Sequence, residues 1–249
     1  MKAARVTALA AVAMLLSLGT ALRAQPLVAD LSQHLVAITA GFTGADIVMF
    51  GATDGPGDVV VVVTGPPKPT IVRRKGRLAG IWVNRESMLF ADAPTFYGVA
   101  ASKPINEILA HNQLDRHQIG VDHIRLLPPN PEARRDDIPE FREALVRARQ
   151  RDGLYGGEPG KVTFLGERLF RARMALPAKV TTGAYRVQMY LVRDGQVVTV
   201  QTTPLLVSKI GFGADVFDFA HKDSAFYGLV AIFLAAAAGW TAAAAFRRL

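Results

Sequence analysis

The chain has 249 residues, 50% of them hydrophobic, with no cysteine and a formal net charge of +8. The absence of thiols excludes disulfides, thiolate nucleophiles, Cys-ligated zinc, c-type haem attachment and iron–sulfur ligation. Lys2, Arg5, Arg23, Arg247 and Arg248 lie at the two ends; without them 24 basic residues face 21 acidic ones, a balance that does not describe a nucleic-acid binder.

Residues 1–24 place Lys2 and Arg5 ahead of an apolar run over 6–18 and then small residues, the layout of a secretory signal peptide. Cleavage is expected after Ala21 or after Ala24. An uncleaved N-terminal anchor is the alternative, but the run is short for a membrane span. Residues 25–101 read as short strands over 34–39, 45–52, 58–64, 70–73, 78–84 and 95–101, broken by Gly, Pro, Asp and Asn. Residues 59–63 are all Val, which predicts a central strand covered on both faces. This spacing of strands and turns suggests an antiparallel, immunoglobulin-like β-sandwich. The Gly-rich stretch 51–57 lacks Gly-Lys-Ser/Thr and is followed by a strand, so it reads as a hairpin loop and not a phosphate cradle. Arg73, Arg74, Lys75 and Arg77 form a basic patch expected at a hairpin tip. Such a patch meets anionic headgroups or an acidic partner, or is simply solvated.

Residues 102–155 change to a helical middle segment with two helices. The first follows Pro104 and carries Ile105, Ile108 and Leu109 on one face. The second is expected to be capped by Asp137, with Glu140 in the capping-box position, Ile138, Phe141, Leu145 and Ala148 as its buried stripe, and Gly153 at its end. Between them 126–135 reads as an exposed loop. The segment also holds a candidate metal set, His111, Asp115, His117 and His123, whose chemistry suits zinc, copper or nickel. On one helix His111 and Asp115 share a face, residues six apart diverge by about 120°, and His123 falls beyond the helix end. The plainer alternative is a polar helix end.

Strands return over 156–210. Phe170, Ala172, Met174 and Leu176 alternate with Leu169, Arg171, Arg173 and Ala175; Tyr185, Val187, Met189 and Leu191 alternate with Arg186, Gln188 and Tyr190. Asp194-Gly195 turns a hairpin into a strand over 197–200, and a last strand is expected over 205–209. Arg168, Arg171, Arg173 and Arg186 suggest a cationic sheet face, either an anion site or the wet side. No serine lies in a nucleophile-elbow context, no HExxH occurs and no carboxylate pair stands out, so no catalytic residue is nominated and no cofactor is expected.

A stalk over 211–223 leads to 224–246, which holds 23 positions without a charge. At about 1.5 Å per residue this spans a hydrocarbon core of roughly 30 Å. Phe226, Tyr227 and Trp240 sit as interfacial aromatics, and Arg247 and Arg248 predict a cytoplasmic C-terminal tail over 247–249. Ala231, Ala235, Gly239 and Ala243 make a small-residue stripe suited to close helix packing, against a membrane-protein partner or a second copy.

Taken together, Gly41-Phe42-Thr43-Gly44-Ala45, Met49-Phe50-Gly51-Ala52, the 59–63 run with Gly65-Pro66, Trp82-Val83-Asn84-Arg85-Glu86, Pro94-Thr95-Phe96-Tyr97, Gly153-Leu154-Tyr155, Leu169-Phe170-Arg171-Ala172, Leu176-Pro177, Gly183-Ala184-Tyr185 and Tyr227-Gly228-Leu229 resemble the alphaproteobacterial transmembrane protein family Alph_Pro_TM. The resemblance implies an envelope protein with an extracytoplasmic domain and a C-terminal span, and it transfers no catalytic residue. Through neighbouring sulfite-exporter-like permeases it also implies a transport accessory role. The expectation is thus a mainly β protein in the inner membrane, its N-terminal domain periplasmic. Its partners are the lipid bilayer and a membrane protein, with no nucleic acid. A periplasmic metal- or anion-binding module is the second reading and a hydrolase the third.

Overall fold

The computed structural model describes residues 25–78, 80–129, 135–211 and 219–247. The expected leader and most of the stalk lie outside them. Among the described residues eleven strands form: β1 Leu27–Leu31, β2 Leu35–Ile38, β3 Gly44–Thr53, β4 Asp58–Thr64, β5 Pro67–Leu78, β6 Ile81–Pro94, β7 Tyr97–Ala101, β8 Gly160–Leu165, β9 Leu169–Pro177, β10 Gly183–Arg193 and β11 Gln196–Lys209. Between β7 and β8 stand α1 (Ile105–Ile108), α2 (His111–His117) and α3 (Ile138–Arg151); α4 (Ser224–Phe246) follows β11.

Nine strands share one curled sheet in the order β1-β3-β9-β8-β7-β4-β10-β11-β2. Strands from before and after the helical segment interleave, so the two β regions of the sequence build one sheet. An immunoglobulin-like sandwich has two separate antiparallel sheets. Here the order is continuous, and two junctions are parallel: β11 with β2, and β7 with β8 through Ala100–Gly160 and Ala101–Lys161. The far edge is closed by a side chain, because the Gln201 amide accepts from the Ala29 N–H (2.9 Å) and donates to the Ala29 carbonyl (2.6 Å). An otherwise bare edge strand is thereby tied back onto the sheet.

The curl wraps one core. Alternate residues of β9 (Phe170, Ala172, Met174, Leu176) and β10 (Tyr185, Val187, Met189, Leu191) point into it, as the period of two predicts. In β4 all five valines are buried, Val59, Val61 and Val63 toward this core and Val60 and Val62 on the opposite face. Each contributes about 1.5–3 kcal/mol of transfer free energy. That opposite face, with Tyr97, Val99, Tyr190 and Val192, is covered by Ile108, Leu109, Leu114, Ile119, Phe141 and Leu145 of the helical segment. The middle segment is therefore a cap on the one part of the sheet that is apolar on both sides.

Several local expectations change. The strand of 197–200 and that of 205–209 are one, β11, with Pro204 opposite Arg186 and no second strand beside it at that point; such one-sided positions tolerate a proline. Gly51 belongs to β3, and the loop after Thr53 is not a hairpin, since β3 and β4 are not neighbours in the sheet. Asp137 precedes α3 in a 3-10 turn with helical backbone angles and makes no capping hydrogen bond. Glu140 instead pairs with Arg74. Leu126, expected in an exposed loop, is buried.

β5 and β6 stand apart as a two-stranded arm. Its root is buried through Met88, Phe90 and Ala93; Arg74 pairs with Glu86 across the arm (2.6 Å) and fastens the arm to the cap by pairing with Glu140 and stacking over Phe141 (4.9 Å).

Candidate functional site

The cap gathers titratable side chains at one place. α2 is only seven residues long and ends at Gln118, which adopts a left-handed conformation at φ 53°. Ile119 then buries itself, its N–H donating to the Leu114 carbonyl, and Gly120 takes φ 104°. These two left-handed residues reverse the chain, so the 3-10 turn Val121–His123 folds back along α2. At Gly120 a Cβ would lie 3.0 Å from the His123 ring, and the positive φ would be strained with any side chain. Tyr97 of β7 holds the reversal from below: its hydroxyl donates to the Gln118 carbonyl (2.7 Å) and accepts from the Gly120 N–H (2.8 Å). Burial pushes the Tyr97 phenol up from its ordinary pKa. Arg142 of α3 donates to the Asp122 carbonyl from the other side.

The result is that His123 Nδ1 sits 2.6 Å from Asp115 Oδ1, and His111 Nε2 3.5 Å from Asp115 Oδ2. The two imidazoles meet edge to face with centroids 4.8 Å apart. The hydrogen bond from His123, with smaller contributions from the charges of His111, His123 and Arg125, holds the Asp115 carboxyl below the usual carboxylate range. One donor atom from each of His111, Asp115 and His123 lies within 4.8 Å of the others. A tetrahedral zinc ion with bonds of about 2.0–2.2 Å separates its donors by roughly 3.4 Å. Rotation of the exposed His111 supplies the difference, while His123, with a side chain only 12% exposed, is already fixed. Two imidazoles and a carboxylate suit zinc, copper or nickel and leave a coordination position open.

His117 is not part of this group. It packs edge-on against Tyr190 (5.5 Å), and burial lowers its pKa. Asp122 turns its carbonyl to Arg142. His123 also borders a cleft of about 650 Å3, whose rim carries Lys103, Asp122, Glu158 and Lys161.

The basic patch divides by strand alternation. Arg74 faces the cap and is paired; Arg73, Lys75 and Arg77 face outward. Of the arginines suggested as one cationic face, Arg171 and Arg173 lie on β9, whereas Arg186 lies on β10, with β8, β7 and β4 between them in the sheet. The Ser102 hydroxyl donates to Asp58 (2.9 Å) and caps the Val59 N–H, the work of a strand-end residue. Ala231, Ala235, Gly239 and Ala243 lie along α4, whose surface is exposed over its length.

Sequence patterning pairs His111 with Asp115 but misses Tyr97, Gly120 and Arg142. Gly120 between Ile119 and Val121 is a chain-reversal signal; a tyrosine in an otherwise apolar strand signals a hydroxyl that needs a partner.

The family model described as "Putative transmembrane protein (Alph_Pro_TM)" matches residues 26–248, nearly the whole chain, and the chain belongs to that family. Neither a curated protein nor a solved structure matches it.

Proposed function

We propose that this member of the Alph_Pro_TM family is a membrane-tethered, mainly β binding module that assists a membrane-embedded partner of transport type. The reading places the domain in the periplasm and the protein in the inner membrane, acting by binding and not by catalysis. The observation that carries it is α4: 23 residues without a charge, none buried against the rest of the described chain, with the stripe Ala231, Ala235, Gly239 and Ala243 along one side. Ala and Gly gain little from lipid contact, but they let a second helix approach closely. The test is purification of the full-length protein from its native membrane in mild detergent, with mass spectrometry of what accompanies it. A stoichiometric membrane protein is expected, lost on changing both Ala235 and Gly239 to Leu. Recovery of the chain alone, or of a partner indifferent to the double variant, would refute the reading.

A second reading is favoured by the convergence of His111, Asp115 and His123: the module binds a divalent transition metal. Calorimetric titration of the full-length protein with zinc or copper is expected to show one site, abolished by His123→Ala and weakened by about 10–100-fold in Tyr97→Phe, the range for losing support behind a ligand. His117→Ala is expected to bind normally. Equal binding by wild type and His123→Ala would sink this reading.

A further inference from the structure

The β5–β6 arm ends in an exposed tip that neither reading uses. Its last cross-strand pairs are Lys75–Asn84, Gly76–Val83, Arg77–Trp82 and Leu78–Ile81. Leu78, Ile81 and Trp82 are each more than 60% exposed, an unusual outlay of apolar surface at the end of an arm. Residues 73–85 hold five cations, Arg73, Arg74, Lys75, Arg77 and Arg85, and no acidic residue. Arg74 is committed to the cap; Arg73, Lys75, Arg77 and Arg85 form no ion pair among the described residues, and Arg77 stacks over the Trp82 ring at 5.3 Å.

The order of these side chains along the arm tells what it meets. The aliphatic pair lies at the extreme end. One residue back, about 3.3 Å, come the tryptophan and its arginine, and the remaining cations extend to roughly 17 Å from the tip. Aliphatic, then aromatic, then cationic is the depth profile of a leaflet read from acyl chain to headgroup. We propose that the arm tip docks into the interface of an anionic phospholipid bilayer, as a second membrane contact besides α4. Insertion stops at the interface, because the outer edges of a two-stranded arm leave backbone groups that hydrocarbon does not satisfy. The consequence is a domain held at two points, with its orientation to the membrane set by the arm.

The proposal rests on α4 being membrane-inserted, and the experiment separates the two. Trp82 and Trp240 are the chain's two tryptophans, so Trp240→Phe leaves Trp82 as the sole reporter in the full-length protein. This variant is reconstituted into vesicles of phosphatidylcholine alone or mixed with phosphatidylglycerol, and flotation with the vesicles verifies the anchor. In the anionic vesicles Trp82 emission is expected to shift to the blue, to be quenched by lipid brominated near the headgroup end of its acyl chains, and to be shielded from acrylamide. Arg73→Gln with Lys75→Gln, which leaves the Arg77–Trp82 stack in place, and added salt are both expected to reverse these effects. Protein that floats while Trp82 keeps the same emission and acrylamide access in both vesicle types overturns the proposal, as it would if the tip instead serves a protein partner absent from the vesicles. Protein that does not float overturns the anchoring on which the proposal stands.

Discussion

Tyr97 and Tyr155 face each other edge to face at 6.1 Å, and each spends its hydroxyl on backbone that the fold would otherwise leave unpaired. Tyr155 donates to the Pro94 carbonyl (2.9 Å) at the arm root; Tyr97 clasps the reversal that carries His123. Burial pushes the Tyr155 phenol up to about 12. A folded-state value raised above the unfolded one, about 10, gives stability that is present below pH 10 and lost as pH rises toward 12. Urea titrations at increasing alkaline pH are therefore expected to show falling stability from about pH 10. Tyr155→Phe should cost about 1 kcal/mol or somewhat more at neutral pH, through the orphaned carbonyl, and flatten that alkaline decline. At this scale His111 and Asp115 were legible as neighbours four apart on a helix. His123 was not, because its return depends on left-handed backbone at Gln118 and Gly120 and on a hydroxyl from a strand more than 20 residues earlier in the chain.

Among elements, β4, β9 and β10 show their faces plainly in sequence, since burial on one side or both imposes the period of two or its absence. β1 is hard to see in sequence although Leu27, Ala29 and Leu31 alternate with exposed positions; five residues are too few to stand out. β3 shows why a glycine-rich stretch misleads. Gly51 lies between β1 and β9, and a Cβ there would fall 2.6 Å from both the Ala29 Cβ and the Val28 carbonyl oxygen and 2.7 Å from the Phe170 ring. The residue serves close approach of neighbouring strands, not a turn. Gly51→Ala is expected to lower stability by about 1–3 kcal/mol, read from urea or thermal unfolding. An unchanged midpoint would mean that β1 shifts freely, contrary to its tie through Gln201.

For the whole molecule the decisive element is the span. α4 is built largely from Ala, with a mean hydropathy of 2.0, so its insertion free energy has little reserve. A charge at the helix centre costs about 2.5–3.5 kcal/mol on an insertion scale where each Leu or Ile returns only about 0.3–0.6. Leu234→Arg is therefore expected to move a large part of the protein out of the carbonate-resistant membrane fraction, whereas Leu234→Val should not.

Composition and periodicity by themselves determined the mainly β class, the doubly covered β4, the alternating faces of β9 and β10, the amphipathic α3 and the apolar span. Each is a property of near neighbours along the chain, set by solvent and by the geometry of one helix or strand. Strand order, the single curled sheet, the inward turn of Arg74 and the meeting of His111, Asp115 and His123 were decided only by tertiary structure. They depend on contacts between residues far apart in the chain, where many pairings satisfy the same local pattern and only the joint burial of both faces of β4, β7 and β10 selects one.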